Sequence, residues 1–130
     1  MIAVLALSSV SYAAEWHQIA SGQGSQKWVD RSSVTELSQE GIRKAWFKEI
    51  FAVPKKFGQF EGVRLQVALT YADCRTRKIH LQQSVLYDGA GDVVSQLILS
   101  KDDFRATIYF EPTPGSGGEI ELDELCGARR

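Results

Sequence analysis

The feature that most constrains this chain is a strict alternation of apolar and polar side chains near its middle. Between residues 63 and 71 the large apolar side chains fall on one parity and smaller or polar ones on the other. The first set is Val63, Leu65, Val67, Leu69 and Tyr71, and the second is Arg64, Gln66, Ala68 and Thr70. Side chains alternate between the two faces of a β-strand, whereas a helix repeats every 3.6 residues. The pattern therefore predicts a half-buried antiparallel strand.

The segments that follow predict further hairpins. The next run repeats the pattern, with apolar or aromatic side chains on one face and polar side chains on the other. The first set is Ile79, Leu81, Val85 and Tyr87, and the second is Lys78, His80, Gln82 and Ser84. Only Ala72–Arg77 separates the two runs, so a hairpin is the natural connection. Asp88–Asp92 supplies the glycines of a second turn. Val93–Leu99 is apolar on both parities, which predicts a strand in a more central position or buried on two sides, and Phe104–Phe110 alternates again.

Upstream, Ile42–Val53 is rich in aromatic and β-branched residues and predicts another strand. Its charged side chains fall on both faces, which is typical of an edge strand protected against pairing with other molecules. Short strands are expected at Trp16–Ile19 and Lys27–Asp30, and a loop at Pro54–Gly62. The sequence therefore predicts an α+β fold that is mainly β, with an antiparallel sheet of about six strands.

The C-terminal end changes from strand to helix periodicity. Ser116–Glu119 fits a capping box, in which Ser116 is the N-cap and the Glu119 carboxylate reaches back towards it. Leu122, Leu125 and Cys126 then share one side of a helix of about ten residues. A helix this short is marginal alone, so we expect the sheet to stabilise it.

Length and charge limit the classes of function. A chain of 130 residues predicts one domain, which we place at residues 14–130. The formal net charge is −1, which gives no general attraction to the phosphates of nucleic acid or to anionic lipid. No stretch approaches the roughly 20 apolar residues that a membrane span needs, so stable membrane insertion is not expected.

Residues 1–13 resemble a secretory signal peptide rather than part of the fold. The apolar run Ile2–Leu7 is followed by small residues, and Ser11 and Ala13 suit cleavage before Ala14. No basic residue precedes Ile2, which is consistent with a start codon placed too far downstream. The alternative is a buried N-terminal strand or helix. The first interpretation predicts export to the bacterial periplasm, the cell surface or the medium.

Export bears on the two cysteines, Cys74 and Cys126. In an oxidising compartment an even pair usually forms a disulfide, whereas in the cytosol the alternative is two reduced, buried thiols. A bridge would hold the C-terminal helix against the sheet. Cys74, however, has the parity of the polar face of its strand. Either a bulge near Asp73 redirects its side chain, or the helix covers that second face.

The sequence contains no recognisable catalytic or metal-binding constellation. His17 and His80 are its two histidines, and neither lies near a nucleophile or acid in a recognisable setting. We expect His80 to be a surface residue. The cysteines and histidines are too far apart for zinc-ligand spacing, and the carboxylates around Asp88–Asp92 lack the spacing of a calcium loop. We therefore expect a protein that is not an enzyme, with no metal and no cofactor.

Basic residues gather in two places. Lys55 and Lys56 are adjacent, and Arg75, Arg77 and Lys78 surround the first predicted hairpin. If these side chains share one surface, they could contact an acidic partner. The alternative is scattered charge that keeps the protein soluble.

The order of several short segments resembles the bacterial surface-adhesin protein E family over nearly the whole mature chain. The segments are Trp16–Ile19, Lys27–Val34, Tyr71–Cys74, Leu86–Val94, Pro114–Ser116 and Cys126. The resemblance implies a small exported protein whose antiparallel sheet carries a C-terminal helix tied by one disulfide, here Cys74–Cys126. The namesake of the family binds host matrix and plasma proteins such as vitronectin and laminin. The lipid-anchor cysteine of a surface lipoprotein is absent near the predicted cleavage point, which favours a periplasmic protein.

We therefore expect a non-enzymatic binding protein of the cell envelope, whose partner is a host matrix protein or an envelope component. The favoured contact surface is the basic hairpin Arg75–Lys78. A first alternative is an inhibitor of lysozyme or a similar enzyme, acting through the loop Asp88–Asp92. A second alternative is a small-ligand-binding periplasmic protein, which requires a pocket lined by convergent polar groups between sheet and helix. Monomer and dimer both stay open.

Overall fold

The computed structural model describes residues 13–37, 41–98 and 109–128, which form one antiparallel sheet with a helix packed on one face. The strands are β1 Trp16–Gly22, β2 Ser25–Asp30, β3 Thr35–Glu36, β4 Ile42–Phe57, β5 Phe60–Asp73, β6 Lys78–Asp88 and β7 Val93–Ile98, and the helix is α1 Gly117–Cys126. Their order across the sheet is β1-β2-β4-β5-β6-β7, with β3 also paired to β4. The predicted fold is confirmed, with seven strands in place of about six.

β4 is an inner strand, so its predicted position at the edge of the sheet is wrong. It pairs with β2 and β3 on one side and with β5 on the other. Three of its charged side chains have partners above one of the two faces. Arg43 donates to the Leu125 carbonyl at 2.8 Å, Lys48 lies over the Trp16 ring, and Glu49 lies 3.7 Å from the Lys27 ammonium.

The segment Pro54–Gly62 is mostly strand rather than the predicted loop. β4 continues to Phe57 and β5 begins at Phe60, so only two residues make the turn. The register shifts between Ile50 and Lys55, which accommodates Pro54 because proline cannot donate to a regular ladder. Phe57 and Phe60 then pack against a small core cluster of Phe51, Val63 and Leu86. Aromatic packing at this hairpin therefore outweighs the turn signal of the sequence.

A bulge also changes which side chains share a face on β6. Leu69 and Thr70 pair with Gln83 and Leu81 respectively, so Gln82 is an extra residue in β6. Because one extra residue reverses the alternation, Val85 and Tyr87 lie on the opposite face from Ile79 and Leu81. The predicted single apolar face of this strand is wrong for that reason.

β7 does not have the predicted two-sided burial. It pairs with β6, and Val93, Leu97 and Ile98 are all exposed. Among the described residues, β7 is therefore neither central in the sheet nor covered on either face, despite its apolar composition. Most of the predicted strand Phe104–Phe110 lies outside the described residues, but Phe110 forms an isolated bridge with Ile79 of β6. The predicted leader likewise lies outside them, apart from Ala13.

The helix covers the face of β5 that the sequence suggested was polar, which accounts for the parity of Cys74. Pairing runs without interruption from Thr70 to Asp73 against β6, so no bulge redirects the cysteine. The main core cluster lies on this face, where sheet residues meet two leucines of the helix: Val29, Ala45, Phe47, Ala72, Ile79, Leu122 and Leu125. Small side chains on β5 allow the helix to approach the backbone closely.

Candidate functional site

The helix is capped at its start and tied to the sheet at its end. At its start, the Ser116 hydroxyl accepts from the Glu119 backbone N–H at 3.3 Å, as the capping box predicts. At its end, Cys126 forms the predicted disulfide with Cys74. Arg77 donates to the Asp123 carboxylate and to the Gly127 carbonyl. These contacts set the position of α1 over the centre of the sheet.

The first turn of the helix approaches the sheet very closely. A Cβ at Gly118 would lie 2.9 Å from Ile79 Cδ1 and 3.2 Å from Pro112 Cβ, and a Cβ at Gly117 would lie 3.1 Å from Lys27 Nζ. Glycine at these positions therefore allows a contact that larger residues would push apart. The approach brings the side chains of the first turn against polar residues of the sheet.

A buried polar network lies under this first turn. Lys27 Nζ donates to Glu121 Oε2 at 2.8 Å, and Thr70 Oγ1 donates to Glu121 Oε1 at 2.6 Å. The side chains of Lys27 and Glu121 are only 11% and 12% exposed, and Thr70 is buried. The Glu121 carboxylate therefore has a partner for each oxygen, as a buried charge requires.

Lys27 also belongs to a polar row that crosses three strands. Lys27 of β2 pairs directly with Glu49 of β4, and Glu49 pairs directly with Gln66 of β5. The Gln66 amide donates to the Ser84 hydroxyl at 3.1 Å. Because directly paired residues have neighbouring side chains on one face, an ammonium, a carboxylate and an amide stand side by side beneath the helix.

These side chains line a cleft of about 330 Å³ between the sheet and the start of the helix. Its apolar part is formed by the sheet and by the segment before the helix: Phe47, Ala68, Ile79, Leu81, Phe110 and Pro112. Its polar part is formed by Lys27, Glu49, Gln66, Thr70 and Glu121. A concave, mostly apolar pocket with a few convergent polar groups is the usual form of a small-molecule site.

The opposite face of the sheet carries aromatic and basic side chains. Lys48 Nζ lies 4.5 Å from the Trp16 ring centroid and 5.4 Å from that of Trp28, within the range of cation–π attraction. Further along this face His80 lies between Tyr71 and Tyr109, with ring centroids 6.3 Å and 6.0 Å away. His80 is half-buried, so its predicted surface position is wrong.

Tyr109 packs beside His80 in this cluster. Burial raises the pKa of Tyr109 to about 12, with additional contributions from the negative charge of Asp73 and from Tyr71. The phenol therefore stays protonated over a wider range of pH than that of an exposed tyrosine.

The five basic residues proposed from the sequence do not form one patch. Arg75 and Lys78 are exposed at the β5–β6 hairpin, whereas Arg77 beside them is engaged by the helix. Lys55 and Lys56 lie at the other end of β5, which has 14 residues and thus separates them by roughly 40 Å of strand. Lys55 Nζ lies 5.1 Å from the ring centroids of Phe51 and Phe57, and Lys56 lies 3.6 Å from Glu61.

The loop Asp88–Asp92 is a tight turn held by its own first residue. The Asp88 carboxylate accepts from the backbone N–H groups of Ala90 and Asp92, at 2.9 Å and 3.0 Å. Gly91 has a φ of 86°, which favours glycine. Asp92 is exposed, so it rather than Asp88 presents a carboxylate to solvent. Inhibition of an enzyme by this loop stays a prediction, with Asp92 as its exposed carboxylate.

Two searches for other kinds of site are negative for the described part of the chain. Residues 13–37, 41–98 and 109–128 contain no cluster of three or more histidine, cysteine or acidic residues that could bind a metal ion. Within the same ranges, no helix combines the length and the apolar character needed to cross a membrane.

Sequence reasoning missed Lys27, Glu49, Gln66, Thr70 and Glu121 as a group. They lie on four elements, β2, β4, β5 and α1, and only the strand register and the packing of the helix bring them together. One sequence signal was available. The alternate face of β5 consists of small and polar residues ending in a cysteine, which suits a closely packed helix better than solvent.

Comparisons with known proteins agree with this architecture. A family model described as surface-adhesin protein E matches residues 16–127, which is most of the chain. No curated protein and no solved structure gives a significant match. The matched region includes every strand and the disulfide-linked helix. The chain therefore belongs to the surface-adhesin protein E family.

Proposed function

We propose that this protein is exported to the bacterial cell envelope, where it binds another protein and has no enzymatic role. The partner is a host matrix or plasma protein, or an envelope component. The observation that carries the proposal is the match of residues 16–127 to a family of surface adhesins. The Cys74–Cys126 disulfide supports it, because such bonds persist in oxidising compartments.

The contact surface is the β5–β6 hairpin, where Arg75 and Lys78 are exposed. This turn has a defined conformation, because the Asp73 carboxylate accepts from the backbone N–H groups of Arg75 and Thr76, at 3.0 Å and 3.3 Å. The disulfide at Cys74 joins the same turn to the helix. Cations held on a rigid support lose little conformational entropy on binding, which favours affinity.

The other basic pair is less suited to this role. Lys56 lies beside Glu61, and Lys55 lies against two phenylalanine rings. Their charges are thus partly neutralised or engaged within the protein. Because the two pairs lie at opposite ends of β5, each is a matched control for the other.

The test compares two charge-reversal variants for binding to immobilised vitronectin and laminin. Arg75→Glu/Lys78→Glu and Lys55→Glu/Lys56→Glu change the net charge equally. We expect the first to weaken binding about tenfold, since each reversed contact at the rim of an interface contributes about 0.7 kcal/mol. The second should bind as the native protein does, and both should keep its melting temperature.

Equal weakening by both variants would show that net charge, not the hairpin, determines binding. Absence of binding by the native protein would exclude these host partners, and pull-down from a periplasmic extract would then test the envelope alternative.

Export is tested separately by mass spectrometry of the protein recovered from bacterial fractions. We expect a chain that begins at Ala14, is found in the periplasm or at the surface, and has no thiol that iodoacetamide alkylates without prior reduction. An uncleaved leader together with two alkylated cysteines would contradict export.

A further inference from the structure

We infer that the cleft between the sheet and the start of α1 binds a small organic cation, namely an ammonium group attached to an apolar body. The cleft lies on the helix side of the sheet, away from the proposed contact surface at the β5–β6 turn. The inference is independent of adhesion, and it would stand if no host protein bound.

The volume and the lining suit a ligand of this size. About 330 Å³ is at the lower end of the range for small-molecule sites. Phe47, Leu81 and Phe110 supply an apolar surface for a short alkyl chain or an aromatic ring. Ala68 lies in the same lining and leaves the space that a larger side chain would fill.

The charges in the cleft favour a cation. Glu49 and Glu121 supply two carboxylates, and Lys27 supplies one ammonium. Lys48 also borders the cleft, but its ammonium lies over Trp16 and Trp28 on the opposite face. The start of a helix adds about half a positive charge, which Glu119 in the first turn offsets. Among the described residues that line the cleft, the balance of charge is therefore negative.

Glu49 is the carboxylate that is able to accept the ligand. Lys27 is hydrogen-bonded to Glu121 at 2.8 Å, whereas its ammonium is 3.7 Å from Glu49. The ion pair of Glu49 with Lys27 is thus the longer of the two, and the Glu49 side chain is 23% exposed, so its carboxylate can accept a further hydrogen bond from a ligand. Gln66, which is directly paired with Glu49, donates its amide N–H to the Ser84 hydroxyl and adds a second polar side chain to this part of the cleft.

The test is a titration of the ¹⁵N-labelled mature chain, followed by amide chemical shifts, with three ligands of similar shape. These are phenethylamine, 2-phenylethanol and 3-phenylpropionate, which are cationic, neutral and anionic respectively. We expect phenethylamine to shift the signals of Ala68, Thr70 and Gly118. We also expect it to bind about tenfold more tightly than the alcohol, because a charge-assisted hydrogen bond is stronger than a neutral one.

Variants assign the effect to the cleft. Glu49→Gln should reduce phenethylamine binding about tenfold and leave 2-phenylethanol binding unchanged. Glu61→Gln, which removes an exposed carboxylate at the β4–β5 turn, is the matched control and should bind as the native protein does. Ala68→Leu should abolish binding of both ligands by filling the cleft, which gives a second readout if Glu49→Gln folds poorly.

The same titration with Nα-acetyl-lysine methylamide distinguishes two sources of the cation. If it binds at the same residues, the cleft accepts a lysine side chain of another protein. If phenethylamine alone binds, the ligand is a free amine, and either result supports the inference. It is overturned if the cleft signals do not move at millimolar phenethylamine, if 3-phenylpropionate binds as tightly, or if Glu49→Gln keeps the preference for the amine.

Discussion

Lys27 and Glu121 are separated by 94 residues in the chain, yet the Lys27 ammonium lies 2.8 Å from Glu121 Oε2. The pair joins β2 to α1 across the core face, and Thr70 of β5 completes it from a third element. Both side chains are nearly buried, so each charge depends on the other for its solvation. The network therefore fixes the helix at a single position over the sheet.

Removing one charge of this pair should reduce the free energy of unfolding more than removing both charges does. Glu121→Leu leaves a buried ammonium without its nearest carboxylate, and we expect the free energy of unfolding to fall by about 3 kcal/mol. Lys27→Met/Glu121→Leu removes both charges and should lose less than about 1 kcal/mol. Urea denaturation followed by circular dichroism measures both values.

The exposed pair Lys56–Glu61 provides the control for that comparison. Its side chains are 66% and 76% exposed, so single and double substitutions there should change stability by less than about 0.5 kcal/mol. The explanation requires the double variant Lys27→Met/Glu121→Leu to be more stable than a variant that removes one charge only. A double variant that is less stable than either single variant would contradict it.

The disulfide should contribute much of the stability of the helix. Cys74 and Cys126 are 52 residues apart, and closing such a loop stabilises a folded chain by about 4 kcal/mol on the chain-entropy estimate. Cys74→Ser/Cys126→Ser should therefore lower the urea midpoint sharply, and dithiothreitol should have the same effect on the native protein. If the reductant shifts the midpoint of the double variant as well, the stabilisation does not come from this bond.

Arg75 and Arg77 are two positions apart, and we expect opposite consequences from changing them. Arg77 contacts the Asp123 carboxylate and the Gly127 carbonyl, so Arg77→Gln should lower the free energy of unfolding by about 1 kcal/mol. Arg75→Gln should leave stability within about 0.5 kcal/mol, because its side chain is exposed. Thermal unfolding of both variants separates the two roles, and equal shifts would contradict them.

Features of the fold that depend on neighbouring residues were predictable from the sequence, whereas those that depend on contacts between distant segments were not. The strand at residues 63–71, the N-cap at Ser116 and the turn at Asp88 follow from local patterns, and the structure confirms each of them. The alternation did not predict which face of β5 the helix covers, because Ala68 and Thr70 belong to the set that looked exposed and are buried. The position of β4 in the sheet was mispredicted, because charged residues on both faces suit an edge strand unless partners above the sheet bind them. Those partners come from β1, β2 and α1, which lie far away in the sequence.

The site was not predictable for a related reason. A single extra residue, Gln82, reverses the faces of β6, and no local pattern marks it as a bulge. The row Lys27, Glu49 and Gln66 exists only because of the strand register. Glu121 is one of four acidic residues between positions 119 and 124, and acidic residues in the early turns of a helix are ordinarily explained by the helix dipole. Its burial depends on the two glycines that bring the first turn of the helix onto the sheet.

The pH dependence of stability should show a contribution from Asp30. Burial raises the pKa of this carboxyl, but hydrogen bonds from the Ser32 side chain and from the backbone of Glu15, Ser32 and Ser33 together lower it below its ordinary value of 3.8. A carboxyl with a lower pKa in the folded state stabilises the protein above its unfolded pKa. That stabilisation is lost as pH falls below about 4 and through the folded pKa. Asp30→Asn keeps a capping side chain but does not titrate. Because hydrogen bonds to a charged group are stronger than those to a neutral one, the difference in unfolding free energy between native and variant proteins should shrink from about 1 kcal/mol at pH 7 as the pH falls below 4. Ser32→Ala, which removes a 2.6 Å hydrogen bond to the carboxylate, should move the same loss to higher pH. A difference that stays constant from pH 7 to pH 2 would show that Asp30 does not contribute through its charge.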